Sequence, residues 1–179
     1  MENNLKEKVS ENFQLSDFVE CSDTYRQVPV SNIPKEPQTI LFIKRIANDI
    51  LEPCKAQFGN LQITYGFCGA ELAKKIDGNI SPKLDQHAGY EVNSKGNRIC
   101  ERGGFAVDFH CLPLSSHEVA CFITENLTFD RLYFYGEHRP LHVSINEKNL
   151  GQIIVMQKKT LRVVPRKISS EAFQKKEYL

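Results

Sequence analysis

The sequence carries no excess of either charge: 23 Lys+Arg stand against 22 Asp+Glu, a formal net charge of +1. No whole-molecule field is therefore available to hold a nucleic acid or an anionic membrane, which leaves only local patches. No apolar run approaches the roughly 20 residues that a bilayer span requires. Residues 1–13 are polar and acidic, where a signal peptide has a basic start and an apolar middle, so a cytoplasmic location is expected. The six cysteines, at positions 21, 54, 68, 100, 111 and 121, include no C-x-x-C pair. A chain of this length builds a core without covalent staples, and the cysteines are read as reduced, mostly buried thiols. Repeats and low-complexity blocks are also missing. What is there is ordinary for one compact soluble domain: 179 residues, 41% hydrophobic and 25% charged. The domain is placed at residues 1–168, followed by a polar, Lys/Glu-rich tail at 169–179.

Periodicity supplies the elements. Ile40, Leu41, Ile43, Ile46, Ala47, Ile50 and Leu51 recur at three- and four-residue steps and form one helical face. Pro37 suits its first turn, and Pro53 marks its expected end. Ser115-Ser116-His117-Glu118 has the form of a capping box and predicts a helix to about Asn126. A weaker helix covers Ala70 to Ile76. Short β-rich runs lie between, at 61–65, 105–109, 131–135, 141–145, 153–156 and 161–164, so the fold class is α+β. Tyr90 to Cys100 reads as a hairpin turning at Gly96 and Asn97.

Two positions on these strands are chemically expensive. Asp108 sits mid-strand in Phe105-Ala106-Val107-Asp108-Phe109, and a carboxylate there needs a cation or strong donor. His142 sits in Leu141-His142-Val143-Ser144-Ile145, sharing a face with Ser144. With His87, these residues make a His, Asp, His set suited to zinc, which takes nitrogen and oxygen ligands and leaves a fourth position open in catalytic sites. Hydrogen-bonded strand residues are the alternative. His110 and His117 are read as surface or cap residues, and His138 lies on a polar loop. Glu91, Glu101 and Arg102 form either the charged outer face of the hairpin or a wall of the site. Cys100 and Cys111 have no neighbouring base to make a nucleophile. Lys158, Lys159, Arg162, Arg166 and Lys167 form a modest basic cluster, a solvated face or a nucleic-acid contact.

A collinear series of segments resembles the D-alanyl-D-alanine carboxypeptidase/endopeptidase family of zinc peptidases over roughly residues 12 to 145. The series runs through Asn12-Phe13-Gln14-Leu15-Ser16-Asp17-Phe18, Ser22-Asp23-Thr24, Asn32-Ile33-Pro34 and Leu51-Glu52-Pro53. It continues through Ile63-Thr64-Tyr65-Gly66-Phe67, Ala106-Val107-Asp108-Phe109 and Leu141-His142-Val143-Ser144. The resemblance implies a small mixed or antiparallel sheet with helices packed on one face, a fold shared with lysostaphin-type peptidases and the hedgehog signalling domain. It also implies a Zn2+ cofactor on His87, Asp108 and His142, and an amide bond of a peptidoglycan stem peptide as substrate.

The sequence departs from the family pattern in three places. The family spaces its first His seven positions before the Asp, where this chain has Glu101. Either Glu101 replaces the His, or the hairpin is inserted between His87 and Asp108; the texture of Asp85-Gln86-His87-Ala88-Gly89 favours insertion. The family's Arg for a substrate carboxylate is replaced within Tyr65-Gly66-Phe67-Cys68-Gly69, leaving Arg139 and Arg102, with Ser144, as expected substrate contacts. The catalytic base, by resemblance, falls in Gly136-Glu137-His138-Arg139-Pro140, as Glu137 or His138. The expected function is a zinc-dependent hydrolase acting on a peptide-like or other small anionic substrate, as in a phage lysis enzyme released by a partner pore. The alternative is a peptidase-like metal-binding domain that takes a nucleotide or nucleic acid.

Overall fold

The computed structural model describes residues 5–20, 22–28, 30–76, 81–159 and 162–178. Among the described residues the α-helices are α1 (Leu15–Val19), α2 (Asp23–Gln27), α3 (Pro37–Ile46), α4 (Glu52–Phe58), α5 (Ala70–Ala73), α6 (Ser116–Asn126) and α7 (Ser170–Gln174). Six strands are β1 (Leu61–Tyr65), β2 (Phe105–Cys111), β3 (Arg131–Phe134), β4 (Leu141–Ile145), β5 (Gln152–Lys159) and β6 (Arg162–Ile168). They form one mixed sheet in the order β1-β2-β4-β3-β5-β6, with β3 and β5 parallel and the other neighbours antiparallel. The class is α+β, as the patterning requires.

Alternation along the central strands gives the sheet two different faces. Phe105, Val107, Phe109 and Cys111 of β2 join Leu141, Val143 and Ile145 of β4 in a core with Phe42, Ile43 and Ile46 of α3 and Val119, Ala120 and Ile123 of α6. The intervening residues, Asp108, His142 and Ser144, therefore point to the opposite face. A 3-10 turn at Gln86–Ala88 packs against that side of β2.

Pro53 does not end the first long helix. It occupies the first turn of α4, and the residues before it, Ala47–Leu51, form a π turn in which the Glu52 N–H reaches back to the Ala47 carbonyl. A widened turn is where a helix absorbs the hydrogen bond that proline cannot make. The capping box on α6 forms as its sequence predicts, with Ser115 accepting from the Glu118 N–H and Glu118 accepting from the Ser115 N–H. The weak helix is one turn, α5, ending at Ala73.

The expected hairpin is reduced to a single bridge, Val92 with Arg98. Gly96, at φ +78°, makes the turn, and the Asn93 side chain accepts from the Lys95 and Asn97 N–H groups. Glu91 is not on an outer charged face. It is buried, and one of its oxygens accepts from the Lys35 and Glu36 N–H groups and the Thr39 hydroxyl, each at 3.0 Å, at the start of α3. A carboxylate there satisfies orphan amides and meets the positive end of the helix dipole.

Residues 169–178 fold back. Ser169 caps α7, Phe173 is fully buried and Tyr178 joins the core. His117 is buried beneath them, its ring 5.0 Å from that of Phe173 and its Nε2 3.1 Å from the Phe173 carbonyl, so it is neither a surface nor a cap residue. Cys54, Cys68, Cys100 and Cys111 are buried free thiols and Cys121 is half-buried, while Cys21 lies outside the described residues. Burial pushes the Cys68 and Cys111 thiols up to about 11. No described helix is long and apolar enough to cross a membrane.

Candidate metal centre

One transverse row of the sheet assembles the site. Tyr65 pairs with Asp108, Asp108 with His142, and His142 with Tyr133. Strict alternation would put Tyr65 on the core side with Ile63, but the β1–β2 register slips between them. Such a bulge re-aims the residues beyond it, and Tyr65 stands opposite Asp108 instead.

His87 comes from outside the sheet. The Asp85 carboxylate accepts from the His87 N–H at 3.0 Å and nucleates the 3-10 turn. Gln86 pins the turn to the sheet by donating to the Gly103 carbonyl at 2.9 Å and to the buried Asp130 at 3.1 Å. Gly89 closes the turn at φ +59°, where an added Cβ would lie 2.7 Å from Thr39 Cγ2.

The His87 imidazole donates through Nδ1 to the Gly66 carbonyl at 2.8 Å. That bond leaves Nε2 as the bare nitrogen. Nε2 lies 3.3 Å from His142 Nδ1 and 3.4 Å from Asp108 Oδ1, and the last two atoms are 2.7 Å apart. Ligand atoms around a tetrahedral zinc, each about 2.0–2.1 Å from the ion, stand about 3.3–3.4 Å apart. Two edges of the triangle match this, and the third, at 2.7 Å, would have to open by about 0.6 Å to hold the ion. His87, Asp108 and His142 thus form a group that fits a metal ion.

Charge reinforces the geometry. Burial opposes ionisation of Asp108, but the two imidazoles outweigh it and hold the carboxyl well below the usual range. Burial likewise opposes charge on His87, and Asp108 overrides it, raising the imidazole to about 9. The group is a carboxylate seeking positive charge, which a divalent cation supplies as well as a proton does.

Tyrosines wall the site. The Tyr65 ring meets His87 edge-on at 4.5 Å, and the Tyr133 ring meets His142 at 5.1 Å and 88°. Burial first, then Cys68, Asp85 and Asp108, lifts the Tyr65 phenol above its ordinary range, and its hydroxyl is buried beside the Cys68 thiol. Burial first, then Asp108 and Tyr133, pushes Tyr135 up to about 12. None of the three tyrosines carries a sequence signal beyond its β-strand setting.

The remaining expected site residues divide. Glu101, the alternative ligand, is exposed and paired with Lys83 at 2.9 Å, outside the triad. Arg102 reaches the site indirectly, donating from Nη1 to the Tyr133 hydroxyl at 3.2 Å and to the Leu84 carbonyl at 3.0 Å. Ser144 lies on the metal face but is fully buried, its hydroxyl 3.4 Å from the Arg131 carbonyl. Glu137 is tied to Lys176 at 2.5 Å, beside α7. His138 and Arg139 are exposed on the same loop, and Arg139 is close enough to His110 to help lower its pKa, after burial. Two larger grooves, of about 500 and 590 Å³, lie elsewhere, lined by α1 with β1 and by the Asn32 and Val92 loops respectively. No family model, curated protein or solved structure matches the chain.

Proposed function

We propose that the chain is a zinc-dependent hydrolase of the kind its segments resemble, the D-alanyl-D-alanine peptidases. The observation that supports this best is the convergence of His87 Nε2, Asp108 Oδ1 and His142 Nδ1, drawn from three separate segments, on one point. Three protein ligands of these types leave the open position of a catalytic rather than a structural zinc. When bound, zinc supplies an acidified water, with a pKa near about 7, and polarises a carbonyl oxygen. The chain's own part is to orient the ligands, through the Gly66 carbonyl for His87, and to keep Asp108 ionised. For proton movement, Glu137 and His138 are the candidates; His138 is the freer, since Glu137 is ion-paired with Lys176.

The substrate in this reading is an amide of a stem peptide or a related anionic molecule. Cys68 and Gly69 stand where the family carries its carboxylate-binding Arg, and Cys68 is buried, so Arg139 is left for an anionic group of the substrate. A second reading, a metal-binding domain for nucleotide or nucleic acid, draws on Lys158, Arg162, Arg166 and Lys167, all exposed on the β5–β6 ribbon.

Elemental analysis of the purified chain and of His87→Ala, Asp108→Ala, His142→Ala and Glu101→Ala tests the first reading. One zinc per chain is expected in wild type and Glu101→Ala, and none in the other three. A wild type that takes up no zinc overturns it. Stem peptides with free and blocked C-termini, cleaved by wild type and Arg139→Ala, separate terminal trimming from internal cleavage.

A further inference from the structure

We infer that the Tyr133 hydroxyl donates a hydrogen bond to the oxygen anion formed at the metal centre, and that Arg102 is the positioning residue that aims it. The inference rests on the hydrolase reading and adds a residue to it. Tyr133 is the direct cross-strand partner of the ligand His142, with its ring edge-on to the imidazole at 5.1 Å. Its ring is thereby carried on the metal face of the sheet, on the strand next to the ligand's, and neighbouring strands lie about 4.8 Å apart.

The direction of the hydroxyl proton follows from its partner. Arg102 Nη1 donates to the Tyr133 oxygen at 3.2 Å, and a guanidinium has no acceptor to offer in return. The phenol oxygen is the acceptor of that bond, so the O–H points elsewhere. Among the described residues, no acceptor takes it. Arg102 is itself fixed by the Leu84 carbonyl at 3.0 Å. A phenol that accepts from a cation is polarised and becomes a stronger donor on its other side.

A donor of this sort, set on a rigid strand and aimed before any substrate arrives, is what stabilises charge that appears only as the reaction proceeds. The tyrosine keeps its proton throughout; it contributes a hydrogen bond, and no bond to carbon forms or breaks at it. Tyr133→Phe removes the hydroxyl and leaves the ring packed on His142.

The test uses the full chain loaded with zinc and inorganic phosphate as a tetrahedral anion, its zinc-dependent binding followed by calorimetry. Zinc affinity is measured alongside by chelator competition. Tyr133→Phe is expected to hold zinc within about twofold of wild type and to lose phosphate affinity by about 10- to 100-fold, the range for one hydrogen bond to a charged group. Arg102→Gln is expected to weaken phosphate by a smaller factor and to add nothing in the Tyr133→Phe background, because it acts through that hydroxyl. Unchanged phosphate affinity in zinc-loaded Tyr133→Phe, or a zinc-loaded wild type that takes no phosphate, overturns the inference and leaves the zinc reading standing. Additive losses overturn the role given to Arg102. A wild type without zinc overturns both.

Discussion

The Gly66 carbonyl accepts from His87 Nδ1 at 2.8 Å, and this bond decides which imidazole nitrogen faces Asp108 and His142. Gly66 is held by sterics as well. A Cβ there would lie 2.4 Å from the Phe18 carbonyl, which itself accepts from the Phe67 N–H at 2.7 Å. The N-terminal helix α1 thus sets the position of the carbonyl that orients a ligand on the opposite side of the sheet.

Gly66→Ala is accordingly expected to act on the metal without touching a ligand. The clash with backbone costs about 1–3 kcal/mol of stability, and the displaced carbonyl lowers zinc affinity by about 10- to 100-fold. Chelator competition on the folded variant checks this; wild-type zinc affinity would show that Nδ1 needs no such partner.

The metal-free and zinc-loaded proteins should respond oppositely to pH. In the metal-free protein His87 is raised to about 9 because Asp108 outweighs its burial. Its contribution is full below the ordinary value near about 6.5 and is lost as pH rises through the folded value. Asp108 is depressed, so its contribution is present above about 4 and is lost on acidification. Zinc needs both imidazoles neutral, and its affinity rises over the span in which the metal-free protein weakens. The Tm difference between zinc-loaded and metal-free protein is expected to widen between about pH 6 and 9; a gap that narrows contradicts it.

Replacing residues 93–97 by a short Gly-containing link should leave zinc binding intact, since that loop touches the rest through the Val92–Arg98 bridge and its own turn. Glu91 at its base is different. Glu91→Ala strands two amides and a hydroxyl at the start of α3, and about 1–3 kcal/mol is expected for each group left unsatisfied and buried. Urea unfolding of the two variants distinguishes the roles.

Phe173→Ala should cost about 3–5 kcal/mol, the range for removing a fully buried Phe. The Phe173 ring packs on His117, Phe134 and Tyr178, so deleting 169–179 is expected to destabilise the domain comparably. A truncated chain with wild-type Tm would show the segment to be dispensable.

What local patterning controls, the sequence determined by itself. The period-two runs place β1 to β6, with Leu161 outside the described residues, and Ser115 with Glu118 fixes the start of α6. Asp108 and His142 were legible as ligand candidates because a carboxylate and an imidazole on apolar strands are costly without a partner. Tertiary structure decided the rest. That His87 rather than Glu101 joins the pair depends on Gln86 anchoring to Asp130 and Gly103, contacts 44 and 17 residues distant in sequence. Tyr65 reaches the metal face only through a slip in register against β2. The Lys/Glu-rich composition of 169–179 hides Phe173, whose burial depends on a surface made by α6 and β3. Periodicity reports which face of an element is apolar. It does not report which face of another element it will meet, because that is set by long-range packing and by single hydrogen bonds with no repeating trace in the chain.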